Sequence, residues 1–231
     1  MMKRIAALLL VLVLMAPAVA LGEKFKPKDI TDARTRALAA FSTCAFSPDH
    51  ENPAVQRWED EIRVFAAGSP GKKDLSELDA FILELQLRVP NLPAARRAQS
   101  EEEANLVIHY RKAKELQEQM DLAANQHFTT RITRSRGVIV KAVIGIASNK
   151  LNQSQRNSAM RETLCMALGL MGWQTQYSDS ILYRDKKGMS TAKKALSELD
   201  WLMLNFLYSP AISPAMTPDA AQTALRNHYG F

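Results

Sequence analysis

Histidine and cysteine are scarce in this 231-residue chain, and where they occur they stand alone. The four histidines, His50, His109, His127 and His228, have no companion at helical spacing, so no helix offers two imidazoles to one metal ion. No C-x-x-C pair, G-x-x-x-x-G-K-[ST] loop, G-x-G-x-x-G turn or G-x-S-x-G elbow is present. The commonest zinc, nucleotide, dinucleotide and serine-hydrolase sites are thereby excluded. Charge of one sign is also in short supply. The excess is 30 Lys plus Arg over 24 Asp plus Glu, a net +6 without a basic stripe, which argues against nucleic acid as partner.

Long apolar runs are missing with one exception. Lys3 and Arg4 precede twelve uninterrupted apolar residues, Ile5 to Ala16, then Pro17 and the small-x-small box Ala18-Val19-Ala20. This pattern predicts a secretory signal peptide over residues 1–20 and a mature chain over residues 21–231. The run is too short to cross a bilayer, which takes about 20 residues, and Glu23, Lys24 and Lys26 follow it closely. Cleavage removes two basic residues and no acidic one, leaving a mature net charge of +4. The expected location is outside the cytoplasm, periplasmic or secreted, with no transmembrane segment left after cleavage. There, Cys44 and Cys165 either form a disulfide, provided the fold brings their Cα atoms within about 7 Å, or remain buried inert thiols. The sequence leaves both open.

What is present is a composition of 47% hydrophobic and 23% charged residues, ordinary for one folded domain. Asp29 or Thr31 is placed to cap a helix striped by Ile30, Ala33, Ala37, Leu38, Phe41 and Cys44. A short strand, Ile62-Arg63-Val64-Phe65, is expected within residues 58–66, closed by a turn at Gly68-Ser69-Pro70-Gly71. Leu75, Leu78, Ile82, Leu85 and Val89 then mark an amphipathic helix that Pro90 stops. An outer strand is expected near residues 94–99, a firmer one at 106–110, and a solvated helix or excursion at 111–120. Residues 127–136 alternate weakly, whereas 138–146 read as a strand covered on both faces. Met160, Leu164, Leu168 and Met171 predict a helix over 154–171, and Leu196, Leu199, Met203, Phe206 and Leu207 a last strong one. Pro210, Pro214 and Pro218 suggest a tail wrapping the surface. The order describes a single α/β (α+β) domain, a twisted mixed sheet packed by helices.

The most informative segment is residues 162–172. Laid on H-E-x-x-H-x-x-G-x-x-H, it keeps Gly169, a turn expected at positive φ, and changes everything chemical. Glu162, Met166 and Gly172 stand at the three His positions, and Thr163 stands at the general base. Downstream, Asp179-Ser180-Ile181-Leu182-Tyr183 resembles a Met-turn with Leu182 in place of Met. With Phe41-Ser42-Thr43-Cys44, Arg57-Trp58, residues 104–110 and Leu207-Tyr208-Ser209-Pro210, the mature chain resembles a bacterial family of exported proteins of unknown function, related to metzincin peptidases with eroded zinc motifs. The resemblance implies a zincin-like fold and names no activity.

Metzincin chemistry needs three neutral imidazoles, an open water position and a carboxylate base. One carboxylate, one thioether and a glycine supply a single good zinc ligand, and Thr163 cannot take a proton. Met160, Met166, Met171 and Cys165 read as core filler rather than a soft copper site. The expectation is therefore no catalytic residue, no metal and no cofactor. It points to a non-catalytic envelope protein whose cleft binds an extended peptide or an envelope protein by strand addition. The alternative is a hydrolase with another constellation, such as Glu162 with His109.

Overall fold

A computed structural model describes residues 27–46, 53–190 and 192–231. The expected signal peptide and His50 lie outside them. Five strands form one mixed sheet: β1 (Ile62–Gly68), β2 (Ala95–Arg97), β3 (Leu106–Arg111), β4 (Phe128–Ser135) and β5 (Val138–Ala147). Their order is β2-β1-β3-β5-β4, all neighbours parallel except β4, which runs antiparallel to β5 at the edge. Six helices are described: α1 (Pro27–Cys44), α2 (Lys72–Arg88), α3 (Ala113–Met120), α4 (Gln153–Ala167), α5 (Glu198–Leu207) and α6 (Pro218–Tyr229).

The period-2 alternation of the strands decides which side holds the core. Ile62 and Val64, Leu106, Ile108 and Tyr110, and Ile139, Ala142, Ile144 and Ile146 point to one face, where they meet α1, α2, α4 and α5 in the main cluster. Between α2 and α4, Arg161 lies over the Phe81 ring and pairs with Glu77 and Glu84, while Arg156 pairs with the buried Asp74. On the far face, Ala113, Leu116 and Met120 of α3 cover Ala147 and Val143. At Gly145 a Cβ would stand 2.8 Å from Met120 Sδ, so the missing side chain lets α3 approach.

Several expectations are corrected here. Helix α1 begins at Pro27, ahead of Asp29 and Thr31, in keeping with the fit of proline to a first helical turn. The first strand does begin at Ile62, as its residues predict, and Trp58 ahead of it is a buried anchor whose indole N–H donates to Ala167 O at 2.9 Å. Residues 113–120 are half-buried rather than solvated, because a 3-and-4 spaced triad suffices to dock a two-turn helix. Residues after 217 are no tail. Thr217 accepts the Ala220 N–H, Pro218 occupies the first turn and Gly230 closes α6 at φ 70, so the proline starts a helix where a tail was expected. Helix α6 and Phe231 sandwich Phe206 through Tyr229 (5.2 Å) and the Phe231 ring (6.1 Å). Among the described residues no helix is long and apolar enough to cross a membrane.

Candidate functional site

Helix α4 carries the central residues. A reciprocal cap starts it: Asn152 accepts the Gln155 N–H at 3.0 Å and Gln155 accepts the Asn152 N–H at 2.9 Å. Its other end closes with Leu170 N–H on Cys165 O (3.1 Å) and Gly169 N–H on Met166 O (2.9 Å), the crossed pair of a Schellman turn. Gly169 has φ +122, and a Cβ there would lie 2.0 Å from Gln56 O. Gly172 donates its N–H to Cys44 O at 2.7 Å and leaves no room for a side chain, since a Cβ would meet Thr43 O at 2.6 Å.

Glu162 has no exposed surface. One carboxylate oxygen accepts from the Arg184 guanidinium, the other from Ser190 Oγ at 2.8 Å. Burial holds its pKa above the usual 4.5, against the pull of Arg184 and Ser190. The loop that brings these partners is itself built: Asp185 Oδ1 accepts the N–H groups of Lys187 (2.8 Å) and Met189 (2.9 Å), so 184–190 doubles back over the helix. Thr163 is buried and turns its hydroxyl back to Ala159 O at 2.7 Å, a bond within its own helix. Met166 is partly exposed and faces a cleft.

Leu182 sits in a turn anchored from below. Ser180 Oγ donates to Asp200 Oδ1 at 2.5 Å, Ile181 N–H to Asp200 Oδ2 at 3.0 Å, and Leu182 N–H to Ser180 Oγ at 3.0 Å. Asp200 also accepts from Ser197, whose hydroxyl caps α5. Burial raises the Asp200 pKa, and these hydrogen bonds oppose the rise. The spacing Ser197-x-x-Asp200 is the sequence signal that could have singled Asp200 out. For Arg184 no such signal exists.

Cys44 and Cys165 are free thiols, both buried, and no disulfide joins them. Burial pushes both thiols far up, so of the two outcomes left open it is the inert pair that the structure has. The pairing of Glu162 with His109 also fails. Successive residues of β3 alternate faces; Ile108 and Tyr110 join the core under α4, which puts His109 on the other side of the sheet, 3.9 Å from Glu101. Desolvation lowers the His109 pKa, with Glu101 partly offsetting it.

A cleft of about 680 Å³ opens beside Glu162. Its walls are the start of β4 (Phe128, Thr130), the outer side of α4 (Ala159, Met166) and the 184–190 loop, with Trp173 and Met189 half exposed at its rim. Ala147 N–H bonds His127 O, which sets the ladder phase: residues 127, 129 and 131 turn their backbone groups to β5. Those of Phe128, Thr130 and Ile132 therefore point to the open edge. Among the described residues no three His, Cys, Asp or Glu side chains converge on one point.

No curated protein matches the chain. The family model described as "Protein of unknown function (DUF2927)" matches residues 35–227, from within α1 to within α6, and the chain belongs to that family.

Proposed function

We propose that the protein is an exported, non-catalytic binding protein of the cell envelope, built on a degenerate metzincin-like scaffold, and that its cleft takes an extended peptide by strand addition to β4. One observation carries this reading: the position that would hold the first metal ligand is closed, while the cleft beside it is open. Glu162 spends both oxygens on Arg184 and Ser190, Thr163 spends its hydroxyl inside α4, and Gly172 has no side chain and no room for one. The unpaired edge at Phe128, Thr130 and Ile132 remains available for main-chain pairing. That the motif helix, the loop 184–190 just after the 179–183 turn and the antiparallel edge strand gather around one cleft supports the scaffold resemblance. Export rests on the charged start, the apolar run and the Ala18-Val19-Ala20 box.

The test is metal analysis and peptide hydrolysis on protein purified from the exported fraction. Zinc well below one equivalent and no chelator-sensitive cleavage are expected, with a mature N-terminus at Leu21. Near-stoichiometric zinc without added metal, or chelator-sensitive proteolysis, overturns the non-catalytic reading. An intact Met1 in a membrane fraction overturns export.

A further inference from the structure

Next to the peptide cleft lies a second cavity, of about 460 Å³, whose polar lining is of one kind. Lys112, Lys114 and Lys150 border it with His127, Asn149 and Gln117, and no carboxylate contributes to its wall. None of the three lysines has an ion-pair partner among the described residues. Asn149 commits its carboxamide oxygen to the Ala113 N–H at 2.9 Å, which leaves its NH₂ as the group it can offer a ligand. The cavity sits past the carboxyl ends of β3 and β5, where chain segments diverge and open sheets make room for ligands. It adjoins the cleft: His127 lines both, and the stretches 124–127 and 149–151 contribute residues to each.

We propose that this lysine-lined cavity is an anion site that receives the C-terminal carboxylate of the peptide bound along β4, so that the ligand runs antiparallel to that strand. The inference rests on the strand-addition reading above and adds to it a direction and an end group. Direction follows from place. His127 immediately precedes Phe128, so the cavity lies at the amino end of β4. A strand added antiparallel to β4 travels toward that end and arrives with its carboxyl terminus; a parallel one would start there with an ammonium group among three others. Coulomb's law favours the first and penalises the second. A peptide with a free C-terminus offers each cavity a group, its extended chain to one and its carboxylate to the other. The cleft offers no carboxylate to compete for the lysines, because Glu162 is already bound to Arg184.

The experiment uses the purified chain, isotope-labelled, and one N-acetylated hexapeptide of alternating valine and threonine with a central phenylalanine. It is titrated with a free C-terminal carboxylate and again as its C-terminal amide, while the backbone amides of β4 and of residues 112–114 and 149–150 are followed. The free acid is expected to bind about tenfold more tightly than the amide. The difference should shrink as salt is raised and vanish in the Lys112→Ala/Lys114→Ala/Lys150→Ala variant, whose replaced side chains are exposed and leave the core alone. Equal binding of acid and amide, with shifts along β4, overturns the carboxylate site and leaves strand addition standing. The same acid preference in the triple variant also overturns it. No shift along β4 with either peptide overturns strand addition, and this inference with it.

Discussion

At position 162 a carboxylate without exposed surface faces one guanidinium and one hydroxyl, and the consequences of removing either partner can be worked out. Replacing Arg184 by Met leaves the charge buried and alone, a loss of about 3–5 kcal/mol near neutral pH. The sign with pH follows from burial. A carboxyl whose folded pKa lies above 4.5 holds its proton longer in the folded state than in the unfolded one. Its contribution is fully favourable below about 4.5 and declines as pH rises to the raised folded value, where it levels off. Removing Arg184 takes away a pull that lowers that pKa and extends the decline to higher pH. Urea unfolding should therefore show Arg184→Met to be less destabilising at pH 4.5 than at pH 7.5, and Glu162→Gln should recover part of the loss in the double variant. An Arg184→Met penalty that does not change with pH would mean that Glu162 is not charged beside it. Glu162 stands out in the sequence as the first position of the motif laid on residues 162–172. Its partner does not, because Arg184 lies in a loop without periodicity and only the fold brings it over α4.

Elements with a clean apolar period are legible: α2, α4, α5 and β3 stand close to where spacing puts them. The misread ones share a cause. Helices α3 and α6 each dock through a narrow stripe supplied with a partner by distant chain, α3 beneath Gly145 and α6 around Phe206. Their charged or proline-bearing surroundings outweigh that stripe in any local window. The end of α4 shows the opposite case, a local signal with a tertiary consequence. Gly169 lets the chain leave the helix at positive φ and brings it against Gln56 O. Gly169→Ala adds both a disfavoured backbone and a Cβ overlap with backbone that cannot yield as a side-chain tip would. A loss of about 3 kcal/mol is expected in urea unfolding at neutral pH, with no comparable loss for Gly188→Ala, where nothing lies within 4 Å of the added methyl. Equal effects at the two positions would mean that backbone conformation alone sets the cost at Gly169.

For the molecule as a whole, the question is whether the packing around residues 162–172 would admit the side chains of a metzincin motif. The sequence shows that Glu162, Thr163, Met166 and Gly172 differ from that motif; that three of them serve the packing is learned only from their neighbours. Glu162→His abandons Arg184 and Ser190 in a buried pocket. Thr163→Glu forces a carboxylate into a site with no exposed surface, where the hydroxyl it replaces bonds to the carbonyls of Ala159 and Met160 in α4 itself, groups that a carboxylate cannot bond. Gly172→His drives a side chain into the backbone of residues 43 and 44, the junction at which α1 is tied to the end of the α4 turn. Met166→His alone is benign, since that side chain faces the cleft. Writing the metzincin ligand set and base into this chain should therefore give a protein that fails to fold stably, by an amount close to the separate costs of three buried substitutions. Met166→His should fold normally. Thermal unfolding of the single and combined variants, followed with and without zinc, decides the matter. A combined variant that folds, binds one zinc and gains chelator-sensitive peptidase activity would show that the scaffold had kept the site's geometry intact.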